Sequence, residues 1–183
     1  MCSSDLGALV KRGAFGGVSA RNIRGDFSRN LLEVRLSGGG ADLLVYVVHL
    51  KSQYGQDRGI ERRMLEIGQL CSIVRRYRCV VLGDFNGILV RGEQEFEFEP
   101  FLELPFRDVL EAMDVPPHAR FSHFYFNGGK PSFSQLDYIF CSDDLEVADG
   151  GMLADFVPVN YEQRRRLPSD HIFLTATLSL TGP

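Results

Sequence analysis

Four short segments carry the residues best suited to chemistry: His49-Leu-Lys-Ser52, Gly83-Asp-Phe-Asn86, Gln135-Leu-Asp-Tyr-Ile-Phe140 and Ser169-Asp-His171. They offer carboxylates, a carboxamide and imidazoles, groups that hold and move protons or bind hard cations. Each lies at an end of an apolar stretch, where a polar side chain can point into a cleft while its backbone stays fixed. Asp84 and Asn86 are two residues apart, so in extended chain both project to one side. Asp137 sits in an apolar run, and a buried carboxylate without a partner is costly. Taken singly, Asp84 and Asn86 fit a turn cap about as well. His49 alone fits a satisfied core histidine, and Asp170-His171 alone a polar strand start. Four such segments in one chain favour a common site.

The elements that must position them follow from periodicity. Leu31–Leu36 alternates like a strand, Ser37-Gly-Gly-Gly40 reads as a turn, and Leu43–Leu50 as a second strand, together a hairpin. Arg58–Tyr77 is the clearest helix, with Ile60, Met64, Ile67, Cys71 and Val74 on its apolar stripe and arginines and glutamates opposite. Cys79–Leu82 is a short strand, and a strand, a crossover helix and another strand predict a parallel pairing. Gln94–Leu110 carries helical pieces broken by Pro100 and Pro105. Phe121–Phe126 is β-like, and Asn127-Gly-Gly-Lys130 is a hairpin turn. Leu136–Cys141 and His171–Leu180 are further strands, Ile172, Leu174, Ala176 and Leu178 sharing one face of the last. Gly7–Gly17 has no periodicity and reads as a loop or frayed end, and 1–17 as a non-native or disordered start.

With 183 residues and 44% hydrophobic content, the chain suits one domain with a buried core. No apolar run is long enough to span a bilayer as a helix. The net charge of -4 and pI of about 5.6 argue against tight non-specific nucleic-acid binding. They do not exclude chemistry on phosphates, because a bound divalent cation adds positive charge where the phosphate sits. Cys2, Cys71, Cys79 and Cys141 form no C-x-x-C pair, so buried free thiols are expected rather than a zinc or redox site.

In their order, HLKS, GDFN, QLDYIF and SDH resemble the signature of the endonuclease/exonuclease/phosphatase (DNase I-like) superfamily, from about Leu31 to Leu180. The resemblance implies an α/β sandwich of two mixed β-sheets flanked by helices, with the site at one rim. It implies a metal-dependent phosphodiester hydrolase, a nuclease ahead of a phosphatase or sphingomyelinase-like enzyme, and a non-catalytic binding protein as the remaining alternative. Asp84 would activate the attacking water and Asn86 orient it. His171 would touch the phosphate with Asp137 fixing its ring, and His49 would stand near the leaving oxygen. Asp170 would be a metal ligand, with Mg2+ (or Mn2+) the expected ion. Lys51 and Ser52, within HLKS, would contact substrate or only line the rim. Separately, the basic run Arg164-Arg-Arg166 reads as a substrate-phosphate contact through Arg166 or equally as a solvated loop.

The superfamily pattern opens with an asparagine strand and a metal-binding glutamate, neither of which is assigned in Met1–Arg35. The resemblance therefore implies the C-terminal two-thirds of a domain over 1–183, incomplete at the N-terminus and inactive by itself. The expected partner is nucleic acid or another phosphodiester, with no partner protein evident and the compartment undetermined. Other features read as structural. Glu93, Glu95, Glu97 and Glu99 are expected on a solvated face. Arg58, Arg62 and Arg63 are expected to face solvent from the helix. Phe121, Phe124 and Phe126 could stack on a base but are expected in the core, and His118 and His123 have no partner pattern.

Overall fold

The computed structural model describes residues 6–38, 41–54, 59–127, 130–153, 157–158 and 160–180. Strands β1 (Gly17–Ile23), β2 (Leu31–Gly38) and β3 (Ala41–His49) form an antiparallel meander, apolar residues recurring along the second and third. Helix α1 (Ile60–Ile73) then crosses over, so β4 (Cys79–Asp84) runs parallel to β3, as the strand–helix–strand pattern predicts. After β5 (Phe106–Asp108) and the hairpin β6 (His123–Asn127) and β7 (Lys130–Ser134), β8 (Asp137–Ser142) inserts antiparallel between β4 and β5. The resulting sheet has the order β1-β2-β3-β4-β8-β5. A long antiparallel pair, β9 (Leu145–Leu153) and β10 (Phe173–Leu180), forms a second layer. Short helices α2 (Glu99–Leu102), α3 (Val109–Ala112) and α4 (Tyr161–Arg164) lie in the connections.

The two faces of the large sheet are covered differently. On one, Leu44, Tyr46, Val48, Val81 and Phe140 pack against Ile67 and Leu70 of α1 and an aromatic cluster around Phe85 and Phe101. On the other, Val80 and Cys141 pack with Leu145, joined by Leu82, Ile139, Val147 and Leu178. This is the α/β sandwich that the sequence implies. Cys79 and Cys141 are buried free thiols, as expected, and Cys71 is half-buried.

Helix α1 departs from the reading of its stripe. Met64 is exposed, while Arg63 and Glu66 are buried with Ile67 and Leu70. The cause lies in distant partners. Arg63 Nη2 meets Glu97 Oε1 at 2.6 Å and its Nη1 donates to the Lys51 carbonyl at 3.1 Å, with the guanidinium 5.9 Å from the centre of the Phe98 ring. Glu66 accepts from the backbone N–H groups of Ser28 at 2.5 Å and Lys51 at 2.7 Å. A charge can be buried when paired and hydrogen-bonded. Arg63 and Glu97 therefore do not face solvent, contrary to expectation, and Glu95 is half-buried; Arg62 lies 3.8 Å from Glu66, and Arg58 falls outside the described residues.

Two strands had no clear sequence signal. β1 is mostly exposed and lacks an apolar face, and β9 is interrupted by Gly150 and Gly151. Met1–Asp5 lies outside the described residues, and 6–16 is irregular, as read.

Candidate active site

Register across the sheet brings the predicted residues together. His49 is directly opposite Asp84 in the β3–β4 pairing, and Asp84 is opposite Asp137 in the β4–β8 pairing. Residues opposite one another on neighbouring strands project to the same face, so three strand ends present one row. Gly83 makes this approach possible: its φ is 131° and a Cβ would fall 2.1 Å from the Val48 carbonyl oxygen. Asn86 then takes a left-handed conformation (φ 53°), which asparagine tolerates better than most residues. The turn is closed by the Asn86 backbone N–H donating to Asp84 Oδ1 at 2.8 Å. The Asn86 amide donates to Asp84 Oδ2 and to the Leu50 carbonyl, each at 3.0 Å.

The fourth segment completes the site. His171 Nδ1 lies 2.6 Å from Asp137 Oδ2. Its placement depends on Ser122, a fully buried residue that no sequence motif marks. The Ser122 hydroxyl accepts from the backbone N–H groups of Leu136 and Asp137 at 3.0 and 2.8 Å. The Ser122 carbonyl accepts from Ile172 N–H at 2.7 Å. One residue thus ties both partners of the Asp137–His171 pair to the start of β6. His123, which had no partner pattern, faces the site as well: its ring centre is 5.0 Å from that of His171. His118, by contrast, is exposed.

Electrostatics separate the roles. Burial, and then the Asp137 charge, push the Asp84 carboxyl up to about 6. Burial, with the positive charges of Arg29 and His171, pushes His49 down to about 4. At neutral pH the His49 Nε2–Asp84 Oδ2 contact of 3.4 Å is therefore a neutral imidazole beside a carboxylate. The hydrogen bond that His171 Nδ1–H donates to Asp137 raises the pKa of His171 despite burial. Arg29 also lowers the Asp84 value, so it is a basic group of the site that the sequence reading passed over.

The remaining predicted residues stand apart to different degrees. Lys51 and Ser52 are half-buried, and the Lys51 backbone is held at both its N–H and its carbonyl by Glu66 and Arg63. Asp170 shares in the approach of His123 (3.9 Å), but its carboxylate is 3.1 Å from Arg164 and partly exposed. Burial would raise its pKa, yet hydrogen bonds from its own backbone and Arg164 hold it low. Arg166 is exposed beyond α4. Asp84, Asp137 and His171 offer ligand atoms within 4.8 Å of one another. Two of the three donors are carboxylates, which fits a hard divalent cation, and Asp170 lies outside this trio.

No protein-family model matches the sequence, and no curated protein matches it. Solved structures do share its fold. TDP2 from D. rerio, complexed with a single-strand DNA product, is similar with a TM-score of 0.63 and 17% identity over 88% of this chain and 68% of that one. A protein described as endonuclease/exonuclease/phosphatase from Beutenbergia cavernae gives 0.64 and 20%, over 91% and 45%. A family protein from Leptotrichia buccalis gives 0.60 and 15%, over 91% and 62%. The chain spans 45% to 68% of the lengths of these neighbours. No helix among the described residues is long and apolar enough to cross a membrane. With the mixed sheet, the β9–β10 layer and the row of strand ends already in place, these likenesses show that the chain has the endonuclease/exonuclease/phosphatase, or DNase I-like, fold.

Proposed function

We propose that this chain carries the catalytic centre of a divalent-metal-dependent phosphodiester hydrolase, with nucleic acid as the favoured substrate. The observation that supports this most is the row His49–Asp84–Asp137 at three adjoining strand ends, with His171 2.6 Å from Asp137 and Asn86 holding Asp84. Asp84, pushed up to about 6, is suited to take a proton from the attacking water near neutral pH. Asn86, locked by its bond to the Leu50 carbonyl, orients that water through the Asp84 carboxylate. His171, whose basicity Asp137 raises through Nδ1, contacts a phosphate oxygen through its other ring nitrogen. Neutral His49 contacts the leaving oxygen, and Arg29 adds positive charge for the phosphate.

Asp137 uses Oδ2 on His171 and retains Oδ1. That oxygen, with Asp170 if its contact with Arg164 yields, would hold the cation; magnesium needs only one or two carboxylates because it keeps waters and takes substrate oxygens. When bound, the ion would neutralise charge on the phosphate. The TDP2 neighbour, complexed with single-strand DNA product, favours DNA over a lipid or small phosphoester. Lys51, Ser52 and Arg166 are rim contacts in this reading.

The test is hydrolysis of bis-(p-nitrophenyl) phosphate and single-stranded DNA by the purified chain, with Mg2+, with Mn2+ and with chelator. So sparse a donor set binds the ion weakly, so the expected rate is low rather than nil, which departs from the inactivity that the resemblance implies. The diagnostic is therefore dependence on metal and loss in Asp84→Asn. Hydrolysis that persists in chelator or survives Asp84→Asn overturns the proposal, as does the absence of metal-dependent turnover at millimolar Mg2+ or Mn2+.

A further inference from the structure

A cavity of about 430 Å³ lies beside the catalytic row, walled by Ile88, Val90, Phe121 and Phe133, with Arg120 and Gln135 among its lining residues. Its size is that of a small-molecule site, and apolar walls with a few fixed polar groups are the usual design of one. Two of those polar groups are built in. Gln135 is 2% exposed and its Nε2 donates to Asp108 Oδ2 at 3.1 Å. That bond sets the orientation of the amide, because a flip would set its oxygen against a carboxylate. Gln135 Oε1 is left as the buried side-chain polar atom without a hydrogen-bond partner among the described residues. Arg120 is held by Nε donating to the Val115 carbonyl at 2.7 Å and by Nη1 at 3.5 Å from Asp108 Oδ2. A guanidinium has more donors than these two contacts use. Phe121 and Phe133 stand with ring centres 5.4 Å apart.

The cavity is coupled to the site by short covalent and polar links. Gln135 precedes Asp137 by two residues, at most about 7 Å of chain. Ile88 follows Asn86 by two. Ser134, also on the cavity wall, has its hydroxyl 3.5 Å from His123 Nδ1, and the His123 ring adjoins that of His171.

Resting on the phosphodiesterase reading, we infer that this cavity holds the nucleobase of the nucleotide whose phosphate is cleaved. The flat base lies against the Phe121–Phe133 side, an N–H of the base donates to Gln135 Oε1, and a ring nitrogen or carbonyl accepts from Arg120. Every common base carries both kinds of group, so the cavity selects nucleotides over base-free phosphodiesters rather than one base over another.

The experiment compares kcat/KM, in Mg2+, for the p-nitrophenyl ester of thymidine 5′-phosphate with that for bis-(p-nitrophenyl) phosphate. It uses the wild type, Gln135→Leu and Phe133→Ala. Phe133 is 43% exposed, so its truncation keeps the comparison alive if Gln135→Leu does not fold. The wild type is expected to prefer the nucleotide ester, and each variant to lower that preference about tenfold, the scale of one lost hydrogen bond or stacking contact. A wild type without preference, or variants whose ratio stays within about twofold, overturns the base pocket while leaving the hydrolase reading intact. If neither substrate is cleaved, the hydrolase reading fails, and equilibrium dialysis with thymidine 5′-monophosphate decides the pocket separately. Binding that is lost in Phe133→Ala or in a folded Gln135→Leu supports it, and absence of wild-type binding overturns it.

Discussion

Two clusters of carboxylates and cations meet at the segment His49–Ser52, and they differ in what remains open. The Arg63–Glu97 pair and Glu66 are fully buried, and their charges are spent on one another and on the backbone of Ser28 and Lys51. The row His49, Asp84, Asp137 and His171 is only partly buried, and its carboxylates and rings have more hydrogen-bonding capacity than the contacts within the row use. The same residue types thus serve two ends. A saturated, dry cluster holds the backbone, while a partly wet and unsaturated one can exchange water, a cation or a phosphate. The first fixes Lys51 and so places His49 and the Leu50 carbonyl, which in turn receives the Asn86 amide.

That contrast is sharpest when one member of each cluster is removed. Asp84→Asn is expected to lower metal-dependent hydrolysis by about 10³-fold, within the range for a general base. Stability should hold or rise, because burial already penalises the ionised Asp84. Arg63→Ala should do the reverse. It leaves Glu97 buried without that partner and costs about 3–5 kcal/mol, with activity falling only as the folded fraction falls. Urea denaturation and kcat on the folded fraction read both variants. Equal destabilisation by the two, with activity tracking it, would dissolve the distinction.

A smaller effect tests the open cluster from within. Asp137→Asn should return the His171 pKa toward or below that of a free imidazole, read by NMR titration of its ring protons. Hydrolysis should fall about 10–100-fold, as when an orienting partner of a catalytic group is lost. The linkage sign follows. The raised folded pKa of His171 gives stability that is full below the unfolded value near 6.5 and is lost as pH rises through the folded value. The variant should lack this decline. An unchanged titration would show that the Asp137 contact does not govern the ring.

The smallest effect concerns Asp108, which is buried and engaged by Leu110, Gln135 and Arg120 as Glu66 and Glu97 are by their own partners, but whose charge is still penalised. Burial pushes its carboxyl up to about 6 despite Gln135 and Arg120. In this direction the folded state holds a proton that the unfolded state has released between about pH 4 and 6. Its contribution therefore weakens as pH rises through that window. Relative to Asp108→Asn, the wild type should lose stability from pH 4 to pH 6 in urea denaturation. A difference that grows in favour of the wild type over that range would reverse the assignment.

Much of this was legible beforehand because it is local. Strand alternation and the crossover helix follow from short-range periodicity. Asp84 and Asn86 do meet at one strand end, but through a left-handed turn at Asn86 and not through the extended spacing expected of them. Ser122, Arg29 and His123 were not legible. Each acts through partners far along the chain, and a serine within a β-like stretch looks like any other. The partner of Asp170 was hidden for the same reason: whether it faces His171 or Arg164 depends on how α4 folds back.

Residue order by itself determined the α/β alternation, the four polar strand ends and the free thiols, since these depend on neighbours within a turn or a strand. Tertiary structure alone decided the phase of α1, the ion pair beneath it, the register that sets His49, Asp84 and Asp137 in line, and the cavity under Gln135. Periodicity records which side chains avoid water. It does not record which charged side chains will find a partner many residues away and so can be buried at low cost.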